Sequence, residues 1–178
     1  YNGFLKHEYG YFPQCMSRYF FRNPDKLLEK IRGDDALYFE FQWHYRLPSE
    51  AFFDIGQLLH WTDVMINASD SDADKVTLVG SILGKAPDGD DGIFPIETVR
   101  KLLKIKKNEE LTTAVARGKI NSLGLRDVED GKKEREKSDI YKMQARAMEI
   151  DYPQTSVILR ILANFYERES KRDQISSE

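Results

Sequence analysis

One cysteine, two tryptophans and three histidines are all that this 178-residue chain offers of several side chains that often do chemistry. Cys15, standing alone, excludes an internal disulfide and a cysteine-based zinc site. A nucleophilic thiol needs a histidine and an orienting partner beside it, so Cys15 is expected as a buried structural thiol. No apolar run approaches the ~18 residues that a membrane span requires, and no signal peptide is visible; the cytoplasm is the expected location and no membrane partner is called for. An excess of one charge is also missing: 27 basic against 30 acidic residues leave a net charge of −3. A balance so close to neutral gives no electrostatic reason to meet nucleic acid or a lipid surface.

Motifs of catalysis are absent in the same way. There is no G-x-S-x-G elbow, P-loop or G-x-G-x-x-G fingerprint. His7, His44 and His60 fall in no metal-ligand spacing, and each adjoins or lies near aromatic residues, the setting of a half-buried structural histidine. Asp70, Asp72 and Asp74 begin like a calcium loop. That loop then requires Gly and later a bidentate Glu, where this chain has Lys75 and Ser81. Asp88, Asp90 and Asp91 fail the same comparison. No metal, no cofactor and no catalytic residue is therefore expected. A hydrolase built on an unlocated carboxylate pair stays as an alternative, with Glu40 the one acid whose aromatic neighbours could desolvate it.

What the chain does have is 40% hydrophobic and 32% charged residues, the profile of a globular domain with a well-solvated exterior. At this length a fold buries roughly two thirds of its unfolded surface and needs no staple. One helical domain over 1–178 is expected, with a possible sub-boundary near 86–92. The chain opens at Tyr1, and Phe4, Tyr9, Tyr11 and Phe12 follow at once. Those four are candidate protein-contact residues, and the chain reads as a fragment of a larger protein.

Hydrophobic spacing argues for helices nearly throughout. Pro13 suits the start of a helix reaching Arg22, and Asn23-Pro24 reads as cap and first residue of the next, with Leu27, Leu28 and Ile31 inward and Gly33 as a stop. Over 36–45 the aromatics alternate, and a short β element competes with a helix, which is favoured because no partner strand is evident. Phe52, Ile55, Leu58 and Leu59 make one stripe after Pro48, extended by Trp61, Val64 and Met65. Asp72 or Asp74 would cap a helix with Val76, Val79 and Leu83 inside. Turn residues crowd 84–92, and Pro95 fits the first position of a helix carrying Ile96, Val99, Leu102 and Leu103. A helix over 108–119 would be broken at Gly118. Helices over 132–150 and 153–172 are joined so briefly that they must form an antiparallel hairpin. The first would pack through Ile140, Met143 and Ala147, the second through Val157, Ile158, Ile161, Leu162 and Phe165. The tail from Ser170 is expected to fray. The fold class is thus mainly α, an irregular bundle of stacked helical hairpins, with at most one short β element near 36–45.

For function, two features stand out. The aromatic run from Tyr19 through Phe53 is denser than one small core absorbs, and a leftover apolar patch would meet another chain or domain. Arg117, Lys119, Asn121 and Arg126 cluster near turn amides, where cations can neutralise phosphates and an amide can read a base edge. A helical interaction or scaffolding domain is the leading expectation, and a nucleic-acid-binding module on those four residues the alternative.

Four stretches carry a resemblance: Gly84-Lys-Ala-Pro-Asp-Gly-Asp-Asp-Gly-Ile-Phe-Pro95, Ala116-Arg-Gly-Lys-Ile-Asn-Ser-Leu-Gly-Leu-Arg126, the helix over 132–147, and 151–173 with Pro153, Leu159, Tyr166 and Glu167 in order. Together they resemble the C-terminal helical region of large, uncharacterised bacterial multidomain proteins. Asn121-Ser-Leu-Gly124 departs from that pattern, which has Asn-Arg-Gly. The resemblance implies a helical module at the end of a long chain and carries over no catalytic residue; its partners would be other domains of that chain or another protein.

Overall fold

A computed structural model of the chain describes residues 14–32, 34–67, 72–123 and 131–176. Among the described residues there are nine α-helices, one 3-10 turn at Ser49–Phe52, and no strand. The helices are α1 (Gln14–Arg22), α2 (Pro24–Ile31), α3 (Asp35–His44), α4 (Ile55–Asn67), α5 (Asp72–Leu83), α6 (Glu97–Lys106), α7 (Glu109–Asn121), α8 (Lys132–Met148) and α9 (Pro153–Ser176). The all-helical bundle read from hydrophobic spacing is the architecture found.

The contested aromatic segment is helix α3. Asp34 caps it, its carboxylate accepting from the Leu37 amide at 2.9 Å. Leu37, Phe41 and Tyr45 then share a buried face four residues apart, while Phe39 and Trp43, also four apart, stay about half exposed. Alternation in the sequence is thus resolved by a helical period, with large residues on two faces. The Tyr45 hydroxyl donates to the Ser17 carbonyl at 3.0 Å, tying α3 to α1, and burial raises the phenol's pKa.

Helix starts follow capping chemistry only in part: Pro24 opens α2 as expected, but the Asn23 side chain makes no cap bond to it and instead donates to Tyr19 O at 2.9 Å. Asn108 caps α7, accepting from Leu111 N at 2.8 Å, and Glu109 and Glu110 occupy its positive first turn. Pro95 does not open α6: the Phe94–Pro95 bond is cis, and the helix begins at Glu97. After Pro48 the chain makes a 3-10 turn, and α4 starts only at Ile55, beyond Asp54, whose carboxylate accepts from Gln57 N at 3.0 Å.

The core runs without interruption from Phe20 and Phe21 on α1, through Trp61 on α4 and Leu102 on α6, to Ile158 and Leu162 on α9. Its tightest contact is between α5 and α7. A Cβ on Gly84 would lie 2.6 Å from the Gly118 carbonyl carbon, and one on Gly118 would lie 2.7 Å from Gly80 O and Ser81 Cα. Gly118 therefore does not break α7, as its propensity suggests; it lies within the helix because α5 passes too close for any side chain.

Arg100 fixes the turn-rich loop ahead of α6. Its buried guanidinium pairs with both oxygens of Asp91 at 2.6 Å, and donates to the carbonyls of Pro95 and Ile93. That hydrogen-bonded pairing holds the Asp91 carboxyl down to about 2.

Helices α8 and α9 form the expected antiparallel hairpin, but α8 turns its other face inward. Gly131, Glu134, Ser138 and Ala145 are buried, whereas Ile140 and Met143 are 48% and 65% exposed and Ala147 is exposed too. The seam is made of small residues in register. Ser138 Oγ donates to Ala163 O at 3.0 Å, Ser156 Oγ donates to Ala145 O at 2.8 Å, and Tyr141 stacks on Tyr166 with centroids 5.6 Å apart. Val157 is likewise exposed, and α9 continues to Ser176 rather than fraying from Ser170. Cys15 is exposed, not a buried thiol, and His60 lies on the surface while His44 is half-buried.

Candidate functional surfaces

Three helices bring their C-terminal ends to one cleft. The end of α3 contributes Gln42, Trp43, His44 and then Arg46; α5 contributes Ser81 and, just beyond it, Lys85; α7 contributes Gly118, Asn121 and then Ser122. The cleft has a volume of about 320 Å³, and no Asp or Glu lines it. Helix C-termini leave carbonyls that cations satisfy. Lys85 Nζ donates to the carbonyls of Gln42 and Tyr45, and Arg46 Nη1 donates to those of Trp43 and Tyr45 at 3.1 and 3.3 Å. Burial, with the Arg46 charge nearby, brings the Lys85 pKa down to about 7. Gln42 Nε2 reaches Ser81 Oγ at 3.3 Å across the floor.

Of the four residues picked out as a nucleic-acid surface, Asn121 lines this cleft, and Arg117 is exposed on the same helix. Lys119 is engaged elsewhere: its ammonium lies 3.5 Å from Asp88 and 4.3 Å from the centroid of the Phe94 ring. Arg126 lies outside the described residues, as do Phe4, Tyr9, Tyr11 and Phe12, and His7, Asp70 and Gly33 with them. Glu40, the acid weighed for general acid–base work, is exposed and lies 3.8 Å from His44. Among the described residues no group of three His, Cys, Asp or Glu side chains converges as a metal site would require, and no helix is long and apolar enough to cross a membrane.

A second surface is the outward face of α8. Ile140 and Met143, with Ala147 and then Ile150 in the turn beyond, recur at helical spacing. Ile150 is 90% exposed. Packing on α8 comes chiefly from α9, on the opposite side. Trp43 was marked only within the aromatic run, and Arg46, Lys85 and the outward stripe of α8 had gone unmarked as functional residues. The first three meet only after folding; the stripe was visible as a period and assigned to the core. No family model, curated protein or solved structure matches the chain.

Proposed function

We propose that this chain is a helical protein-interaction domain, a cytoplasmic module of a larger bacterial protein, and that it docks through the outer face of α8. One observation carries the reading: Ile140, Met143, Ala147 and Ile150 form an apolar stripe three to four residues apart that stays exposed among the described residues. Apolar side chains scattered singly on a surface mean little, whereas a periodic stripe is the pattern an amphipathic helix shows to a second helix. The occupant is the apolar face of a helix from another chain or domain, received as in helix-in-groove recognition. Asp139, Lys142 and Arg146 run along one edge of the stripe, a charged rim that stays wet beside an apolar centre.

Cysteine protection tests this in the protein's native cells. In a Cys15→Ser background, Met143→Cys and Lys30→Cys are labelled with a maleimide in cells and in the purified chain. Expected is labelling at position 143 slowed at least tenfold in cells relative to the purified chain, with position 30 equal in both. Equal rates at both positions would remove the docking face. Protection that grows with concentration in the purified chain would assign the stripe to a second copy instead.

A further inference from the structure

We propose that the cleft among α3, α5 and α7 binds a mononucleotide, a phosphate joined through a sugar to a planar base. The charged side chains of the lining are of one sign: Arg46 and Lys85, each of which also satisfies carbonyls at the end of α3, and no carboxylate lines the cleft. Two acids stand beside it without lining it: Glu40 lies 3.8 Å from the lining residue His44, and Asp88 lies 3.5 Å from Lys119.

Arg46 keeps capacity for an anion. Only its Nη1 donates to protein carbonyls among the described residues, leaving Nε and Nη2, one edge of the guanidinium fork that matches phosphate in a bidentate pair. Trp43 lines the same cleft and is 52% exposed, an indole available for a ring to stack against. Asn121 and Ser122, both exposed on the α7 side, offer an amide with donors and an acceptor and a hydroxyl that, donating to Lys119 O at 2.7 Å, can still accept, suited to a base edge or sugar. The volume, about 320 Å³, lies at the small end of ligand pockets, which run from about 300 to 1,000 Å³, and so suits one nucleotide rather than a length of polymer. Lys85 strengthens the case through its ease of discharge: an arriving anion favours its charged form, so binding and protonation reinforce each other.

The purified chain is titrated with adenosine monophosphate, adenosine, inorganic phosphate, benzoate and a ten-nucleotide single strand, following tryptophan fluorescence and heat. Trp61 is fully buried, so quenching by a surface ligand reports Trp43. Adenosine monophosphate should bind at one site per chain, at least tenfold more tightly than adenosine, phosphate or benzoate. Arg46→Gln and Lys85→Met should each weaken it at least tenfold, and Asn121→Ala severalfold, with circular dichroism confirming that each variant is folded. Arg46 and Asn121 are exposed, so their variants remain informative should Lys85→Met fail to fold. No binding of adenosine monophosphate at millimolar concentration overturns the proposal. So does binding indifferent to Arg46→Gln and Asn121→Ala, phosphate or benzoate binding as tightly, or the single strand binding where the mononucleotide does not.

Discussion

Lys85 is charged in water at neutral pH, yet it is half-buried against the end of α3 with the Arg46 charge beside it. Its pKa falls from 10.5 to about 7, so in the folded state the proton is held less tightly than in the unfolded chain. Below about pH 7 both states are protonated and the cost of burying the charge is present in full. Between about 7 and 10.5 the unfolded state binds more protons, and stability rises with pH. Urea midpoints at pH 6 and pH 9 should therefore differ less in Lys85→Met than in the parent, with the parent gaining on going up; identical differences would refute the shift. Asp91 makes the opposite case. Its carboxyl is held at about 2, so its stabilising contribution persists across neutral pH and is lost as pH falls through that value. Asp91→Ala leaves the buried Arg100 with carbonyls alone. The loss of a charge-assisted pair costs roughly 1.5–3 kcal/mol, and the exposure of Asp91 places it at the lower end. Denaturant melts of that variant measure it.

Helix pairing is where residue size decides the fold. Gly118→Ala gains helix propensity, about 1 kcal/mol, but its Cβ meets backbone 2.7 Å away on α5, which cannot rotate aside. Overpacking of this kind costs about 1–3 kcal/mol, and a net loss of stability in urea is expected. The α8–α9 seam gives a paired prediction. Ala163→Leu, at a buried small-residue position beside Ser138, should destabilise by about 1–3 kcal/mol. Met143→Ser, at 65% exposure, should stay within about 0.5 kcal/mol of the parent in the isolated chain. The reverse ranking would mean that α8 packs through its greasy stripe after all. These two positions also show what the sequence made legible. The helical period of α2 and α4 was readable because most of their buried residues are large apolar ones, Leu27 and Leu58 among them. In α8 the buried residues are small or polar and the large ones face out, so hydrophobicity found the helix and named the wrong face. The cleft was harder still, since Trp43, Lys85 and Asn121 meet only once α3, α5 and α7 have folded. A cluster read along the chain recovered Asn121 alone of the three.

At the scale of the whole molecule, the turn-rich stretch at 86–92 raises the question of whether the two halves unfold as one. The packing argues that they do. Phe94 is buried in the shared core, Arg100 locks the loop to α6, and α9 packs on both α6 and α7 while α5 binds α7 and α4. A cavity made at one end of such a continuous core is felt at the other. Leu162→Ala removes a fully buried side chain from α9 and should cost about 2–5 kcal/mol. Its effect should appear equally in two probes: helical circular dichroism, to which α8 and α9 contribute heavily, and fluorescence of Trp61, buried in α4. A single transition, with both midpoints lowered by the same amount, is the signature of one cooperative unit. If dichroism were to fall at lower urea while Trp61 kept its native emission, the closing hairpin would be a separate unit. The outward stripe of α8 would then belong to a hairpin able to swing away from the bundle, and its apolar residues could find cover without any second protein.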